Sequence, residues 1–234
     1  MSPTFSQFAG YPDFIYGFSG RSDGSMHRHL EKENREKYFK TLGVDSGRVV
    51  TADLIHGANV VGVSGQEGGI MVTKTDGLVT DTRGLLLTAT AADCFLLYFY
   101  DPLKNVVGIA HAGWRGLLAG IVENTIAGLT QSFGVAPQDL LVSISPGIRG
   151  CHFEISPADK EKFKEYSQFV LERSGKVFVD LPGILRIKLL DKGISAKHIE
   201  DSEICTHCHE KEYFSYRRDK PKDVQVQIGY IGLI

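Results

Sequence analysis

The stretch Thr90-Ala-Ala-Asp93-Cys94, the apolar run Phe95 to Tyr100, the turn Asp101-Pro102, a second apolar run Val106 to Ala110, and then His111-Ala-Gly113-Trp114-Arg115-Gly116 carries most of what the chain declares about itself. Two β-rich runs joined by a Pro-containing turn read as neighbouring strands. That pairing brings Cys94, at the start of the first, close to His111, at the end of the second. The glycines around Trp114-Arg115 imply a tight strand-to-helix turn, and the spacing of Leu117, Leu118, Ile121, Ile126 and Leu129 predicts one amphipathic helix behind it. A helix N-terminus and the Arg115 guanidinium would then face the thiol and the imidazole, which makes phosphate a natural guest.

Outward from this stretch the chain alternates strands and helices with short connections. Val49 to Val63 reads as a strand ending at His56 with a turn at Gly57, and Thr75-Asp76-Gly77-Leu-Val-Thr80 as a short strand opened by a turn-forming Asp-Gly. His29 to Leu42 carries Leu30, Tyr38, Phe39 and Leu42 on one helical face. Leu140 to Ile144 is a buried type of strand, Ser156-Pro157 caps a helix, and Pro182 opens another that stops near Gly193. Val224 to Ile234 is the last strand. The pattern predicts a single α/β (α+β) domain over 1–234, with mixed sheets covered by helices.

Composition narrows the partners. With 234 residues, 42% apolar content and a formal charge of −2, the chain has room for a core and no broad field for nucleic acid or anionic membrane. It has no apolar run near the length of a membrane span and no signal-like start, so a cytoplasmic address is expected. The composition does not fix an oligomeric state. Four cysteines do not make a disulfide framework in a chain of this size; in a reducing compartment they are ligands, reactive thiols or buried small hydrophobes.

Two chemistries compete for the same atoms. His56, Cys94 and His111 make a borderline-soft set suited to Zn²⁺ with a fourth position open, a catalytic type of site in which the metal lowers the pKa of bound water. Asp93 and Arg115 adjoin two of these ligands and read as supporting or substrate groups. Taken singly, His56 also reads as a hydrogen-bonded structural histidine. Cys94 with His111 also permits a thiolate nucleophile and its base, as in a metal-free cysteine hydrolase or deamidase. Arg21 sits beside a Gly-rich turn and Arg217-Arg218 beside Tyr213, Phe214 and Tyr216, where either a phosphate contact or an ordinary loop fits.

His152-Phe-Glu154 with Cys205-Thr-His-Cys208 superficially matches the zinc nucleobase deaminases, but Ile204 stands where that signature wants proline. As a zinc knuckle, Cys205, His207, Cys208 and His209 lack a second spaced pair, so a local turn with buried cysteines is expected there.

In order along the chain, His56-Gly57, Thr75 to Thr80, Ala92-Asp93-Cys94, His111 to Gly116, Ser145-Pro-Gly-Ile148, Cys205-Thr and Phe214-Ser-Tyr-Arg-Arg218 resemble the YfiH/YlmD family, also called laccase-domain proteins. The resemblance covers Tyr16 to Ile234. It implies a fold likened to the cytotoxic-necrotising-factor cysteine hydrolases, a zinc ion on His56, Cys94 and His111, and phosphorolysis of adenosine, inosine, guanosine and methylthioadenosine, with deamination of adenosine. Purine nucleoside and inorganic phosphate are the implied partners, Arg21, Arg115 and Arg217 the phosphate candidates, and Asp93 the acid-base candidate. The family is also linked to editing of peptidoglycan precursors. The laccase label fits poorly, since eight scattered histidines do not supply several coppers. Tyr16, Leu54 and Phe95-Leu96 depart from the family's usual residues, which bears on substrate preference more than on the metal.

Overall fold

Strand Phe95–Asp101 is apolar on both faces, and both faces are covered. In the computed structural model, which describes residues 3–27 and 29–234, the strands in chain order are β1 (Phe14–Phe18), β2 (Val49–Ala52), β3 (Val60–Gly62), β4 (Met71–Val72), β5 (Gly77–Thr80), β6 (Leu86–Ala91) and β7 (Phe95–Asp101). They continue as β8 (Val106–Ala112), β9 (Leu141–Ile144), β10 (Glu154–Ile155), β11 (Val170–Arg173), β12 (Lys176–Val179), β13 (Ile199–Asp201) and β14 (Gln227–Leu233). The α-helices are α1 (Lys32–Thr41), α2 (Trp114–Ala119), α3 (Ile121–Phe133), α4 (Leu181–Asp191) and α5 (Tyr216–Asp219).

A six-stranded sheet runs β13-β9-β7-β8-β5-β3 and a five-stranded sheet β1-β14-β6-β2-β4, each mixing parallel and antiparallel pairs. The period-2 alternation of β7 explains its unbroken hydrophobicity. Phe95, Leu97 and Phe99 face α3 and α4, in one core with Ile126, Leu129, Ile184 and Leu185. Leu96, Tyr98 and Tyr100 face the other sheet, in a second core with Val50, Leu87, Ala89 and Ile231. A third, smaller core packs Phe39 of α1 onto the outer side of the five-stranded sheet, against Val49, Leu86, Ile228 and Tyr230. The order of layers is helix, sheet, sheet, helices, the α/β class expected from sequence. A small β10-β12-β11 sheet lies beside it.

The hairpin expected around Asp101-Pro102 forms, with Leu96 opposite His111 and Phe95 opposite Ala112. Other expectations are corrected. β2 stops at Ala52, so His56 lies in a loop and not at a strand end, with a left-handed backbone (φ 58°) that a strand does not accommodate. The single helix expected behind Trp114 is two helices, because Gly120 (φ 97°) breaks the path between α2 and α3. Leu30 lies outside α1 and is exposed, leaving Phe39 and Arg35 as its buried residues. The segment capped by Ser156 is a 3-10 helix with kinks at Phe163 and Tyr166.

Candidate functional site

The β7–β8 hairpin presents two of the three presumed metal donors on adjacent strands. Cys94 immediately precedes β7, and His111 in β8 is 2% exposed. His56 reaches them from the β2–β3 loop, which is held in two ways. Its Gly57 amide donates to Asp76 Oδ2 at 2.9 Å, and α2 presses against it so closely that a Cβ on Gly116 would lie 2.5 Å from the Gly57 carbonyl oxygen. A larger residue at 116 would push the loop away from the hairpin. The glycines of the Gly113-Trp-Arg-Gly116 turn therefore let the helix approach the donors.

One donor atom each from His56, Cys94 and His111 lies within 4.8 Å of the others. The two imidazole rings sit edge to face, 4.9 Å between centroids. The space between the donors is held open by Gly113, where a Cβ would come within 2.9 Å of Cys94 Sγ, 3.4 Å of His56 Cδ2 and 3.5 Å of His111 Cε1. Two imidazoles and a thiol around such a cradle could hold a single borderline-soft cation.

Asp76, read from sequence as a turn former, is a part of this site that the spacing did not reveal. Its carboxylate is fully buried; Oδ1 is 3.3 Å from His111 Nδ1, and its backbone carbonyl accepts from the His111 amide at 2.7 Å. Burial pushes this carboxyl up, but the hydrogen bonds from His111 and Gly57 outweigh it and hold it below the ordinary range. Asp76 thus orients His111, leaving Nε2 for the cradle, and anchors the loop of His56. The signal available was Asp76 at the head of a strand that pairs with β8; local turn chemistry masked it.

Burial pushes the Cys94 thiol up, yet the charges and hydrogen bonds of His111 and His56 overcome this and bring it to about 6. His111 is pushed down by burial and raised to about 9 by the Cys94 thiolate and Asp76. Without a cation the pair is a thiolate and an imidazolium between these values. Below about 6 the thiolate protonates, and above about 9 the imidazolium loses its proton. In chelator-treated protein, alkylation of Cys94 by iodoacetamide should therefore rise with pH through about 6 and level off, whereas an ordinary thiol rises through about 8.5. Added zinc should protect it. A midpoint near that of a free thiol would contradict this reading.

The donors line a cavity of about 580 Å³, within the range of small-molecule sites. Its walls include Trp114, Ile148, Phe153 and Tyr216. Arg115 also lines it, exposed, with its guanidinium 4.4 Å over the Trp114 ring; among the described residues it has no hydrogen-bonded acceptor. Arg217 lines it too, but one guanidinium nitrogen already donates to the Glu154 carbonyl at 2.7 Å. Asp93 is at the wall with both oxygens engaged, Oδ1 by the Thr206 hydroxyl and Oδ2 by the Arg217 amide, each at 2.7 Å. Arg21 is not brought to the cavity. It pairs with Asp219 at 2.6 Å and covers the Phe214 ring, tying its own 3-10 turn to α5.

The model of the multi-copper polyphenol oxidoreductase laccase family matches residues 22–233. The chain belongs to that laccase family. It is similar to the purine nucleoside phosphorylase YlmD of Geobacillus stearothermophilus, at 32% identity over 206 residues, 80% of this chain and 73% of that one. It is also similar to a purine nucleoside phosphorylase of Mus musculus, at 34% identity over 164 residues; the match takes in 68% of this chain but 38% of that longer protein. The crystal structure of YlmD from Geobacillus stearothermophilus superimposes with a TM-score of 0.90 at 28% identity, covering 96% of this chain and 93% of that one. These laccase-family relatives bear the YfiH/YlmD resemblance out. Among the described residues no helix is long and apolar enough to cross a membrane.

Proposed function

We propose that residues 1–234 form one catalytic domain, a zinc-dependent purine nucleoside phosphorylase that also deaminates adenosine. The observation that carries the reading is the convergence of His56, Cys94 and His111 in the wall of a nucleoside-sized cavity beside the exposed guanidinium of Arg115, which has no hydrogen-bonded acceptor among the described residues. The names of the curated relatives support the choice of reaction.

In phosphorolysis, a phosphate oxygen bonds to ribose C1′ as the bond from C1′ to the purine nitrogen breaks; the electron pair leaves with the base, which takes up a proton. Zinc, when bound, supplies positive charge and Lewis acidity at the cavity wall. Arg115 holds the phosphate in line through charge-assisted hydrogen bonds. Trp114, Phe153 and Tyr216 offer apolar faces for the purine. Asp93 positions the Arg217 segment, and its place at the wall makes it the acid-base candidate for deamination.

The test is product analysis on metal-replete protein given adenosine, inosine, guanosine or methylthioadenosine, with and without phosphate. Free purine and ribose 1-phosphate, or 5-methylthioribose 1-phosphate from methylthioadenosine, that require phosphate, together with inosine formed from adenosine without it, are expected. Absence of all of these above a Cys94→Ala control refutes the activity. Arg115→Ala should raise the KM for phosphate by roughly 10- to 100-fold, the worth of a hydrogen bond to a charged group. The nucleoside KM should move much less and Arg115→Lys should recover part of the loss; equal shifts in both constants would remove Arg115 from the phosphate.

The lowered Cys94 and raised His111 favour a second reading, a metal-free hydrolase with Cys94 as nucleophile and His111 as its base. A zinc ion bound by the parent protein and lost in Cys94→Ser argues against it.

A further inference from the structure

A separate set of soft donors meets on the other side of the Asp93 wall. Cys151 and His152 lie in the turn that follows β9, and Cys205 and Cys208 in the turn between β13 and α5. Cys151 Sγ is 3.5 Å from Cys205 Sγ and 3.8 Å from Cys208 Sγ, while His152 Nδ1 is 3.3 Å from the Sγ of both Cys151 and Cys208. None of these cysteines is in a disulfide, and the four donor atoms all lie within 4.8 Å of one another. A tetrahedron around zinc, with sulfur at about 2.3 Å and nitrogen at about 2.0 Å, has edges of about 3.5 to 3.8 Å. Four of the six distances among the donors, 3.3 to 3.8 Å, match such edges closely, and all six fall within 4.8 Å. A disulfide would use two sulfurs and give the third, and the imidazole, no reason to converge.

The backbone holds both halves of the cluster in place. Cys208 and His209 amides both donate to the Cys205 carbonyl at 3.1 Å, the tight turn that a C-x-x-C pair needs to point two sulfurs one way. Gly147 exchanges hydrogen bonds with the 204–206 backbone, and Arg173 donates to the carbonyls of Gly150 and Cys151. The His152 ring is stacked on His207 at 3.8 Å between centroids, which sets the direction of its Nδ1.

We infer that Cys151, His152, Cys205 and Cys208 form a second metal centre, a closed zinc site of three thiolates and one imidazole. Four protein ligands leave no open position, so the site is structural. The turn expected from sequence forms with Cys205 buried, but Cys208 is exposed, and the inferred metal is an addition to that turn. The second pair needed for a zinc knuckle is Cys151-His152, adjacent in sequence and so invisible to a search for spaced ligands. The likeness to a deaminase ends here as well: Cys151 takes the place where such a site leaves room for water, and the Glu154 carboxylate is paired with Lys176 at 2.9 Å.

The centre staples two segments that carry one wall of the first cavity. Ile148 N–H donates to the Asp93 carbonyl and Thr206 hydroxyl to the Asp93 carboxylate, both at 2.7 Å, and Arg217 donates to the Glu154 carbonyl. Zinc on these four ligands would lock that wall from behind.

The experiment is elemental analysis of the full chain purified under reducing conditions. About two zinc ions per chain are expected, with about one left in Cys208→Ser and about one in Cys94→Ser. His152→Cys should keep the metal on four thiolates, and His152→Ala should lose it. Should the His56 site prove metal-free, Cys94→Ser would match the parent and Cys208→Ser would be empty, so the two inferences fail separately. Cobalt substituted into Cys94→Ser protein should give strong thiolate-to-metal absorption, a readout that does not depend on Cys208→Ser folding. An unchanged zinc count in both Cys208→Ser and His152→Ala, a cobalt spectrum without thiolate character, or a disulfide joining Cys151 to Cys205 or Cys208 that persists in protein purified under reducing conditions overturns the assignment.

Discussion

Asp76→Asn is expected to weaken metal binding at the His56, Cys94 and His111 site by roughly 10- to 100-fold, the usual effect of removing the acceptor behind a ligand histidine. The amide is nearly isosteric, but it has one acceptor oxygen for two donors. Asp76 now receives Gly57 N–H on Oδ2 and faces His111 Nδ1 with Oδ1. If the asparagine oxygen stays with Gly57, its NH2 meets Nδ1, and the imidazole must carry its proton on Nε2, the nitrogen that faces the cradle. If the group flips, Gly57 N–H is left without an acceptor beside a buried side chain, at a cost of about 1–3 kcal/mol, and the His56 loop loses its anchor. Competition against a chromophoric chelator measures the affinity, with circular dichroism as a check on folding. Parent-like affinity in folded Asp76→Asn protein would show that the carboxylate does not set the His111 tautomer.

Gly113→Ala should abolish metal binding at the His56, Cys94 and His111 site, and the associated activity, while leaving the fold intact. The backbone there is extended, φ −70° and ψ 160°, so alanine meets no conformational obstacle. Its methyl would, however, sit 2.9 Å from Cys94 Sγ and within 3.5 Å of both imidazoles. The donors would have to part by several tenths of an ångström around a group that fills their shared space. A working constellation has to be held within about 0.5 Å of its productive geometry, and a misplacement of about 1 Å can cost about a hundredfold. The measurement pairs metal content with thermal unfolding: a zinc count that falls to that of Cys94→Ser, with a near-parent midpoint, supports the cradle. A zinc count equal to the parent's would mean that the donors converge somewhere other than on Gly113.

What the sequence by itself determined lies within short reach of each residue. The apolar run Phe95 to Tyr100, the Asp101-Pro102 turn and the second run specify the β7–β8 pair and its register, and with it the meeting of Cys94 and His111, because pleat alternation and turn chemistry are local properties. The glycines of His111 to Gly116 announce a close approach, without saying to what.

The rest was decided by packing between distant segments. That both faces of β7 are buried follows from its composition, but which face meets helices and which meets a second sheet depends on how α3, α4 and β14 fold back over it. His56 reaches the donors only because α2 and Asp76 hold a left-handed loop against the hairpin. Arg21 and Arg115 look alike along the chain, and only their surroundings separate an arginine paired with Asp219 from one exposed at a cavity over the Trp114 ring. Cys151-His152 and Cys205-x-x-Cys208 become one cluster through the backbone pairing of Gly147 with Cys205. Periodicity and turn propensity act over a few residues, whereas a ligand set drawn from separate loops exists only once burial has brought them together, which is why tertiary structure alone decided it.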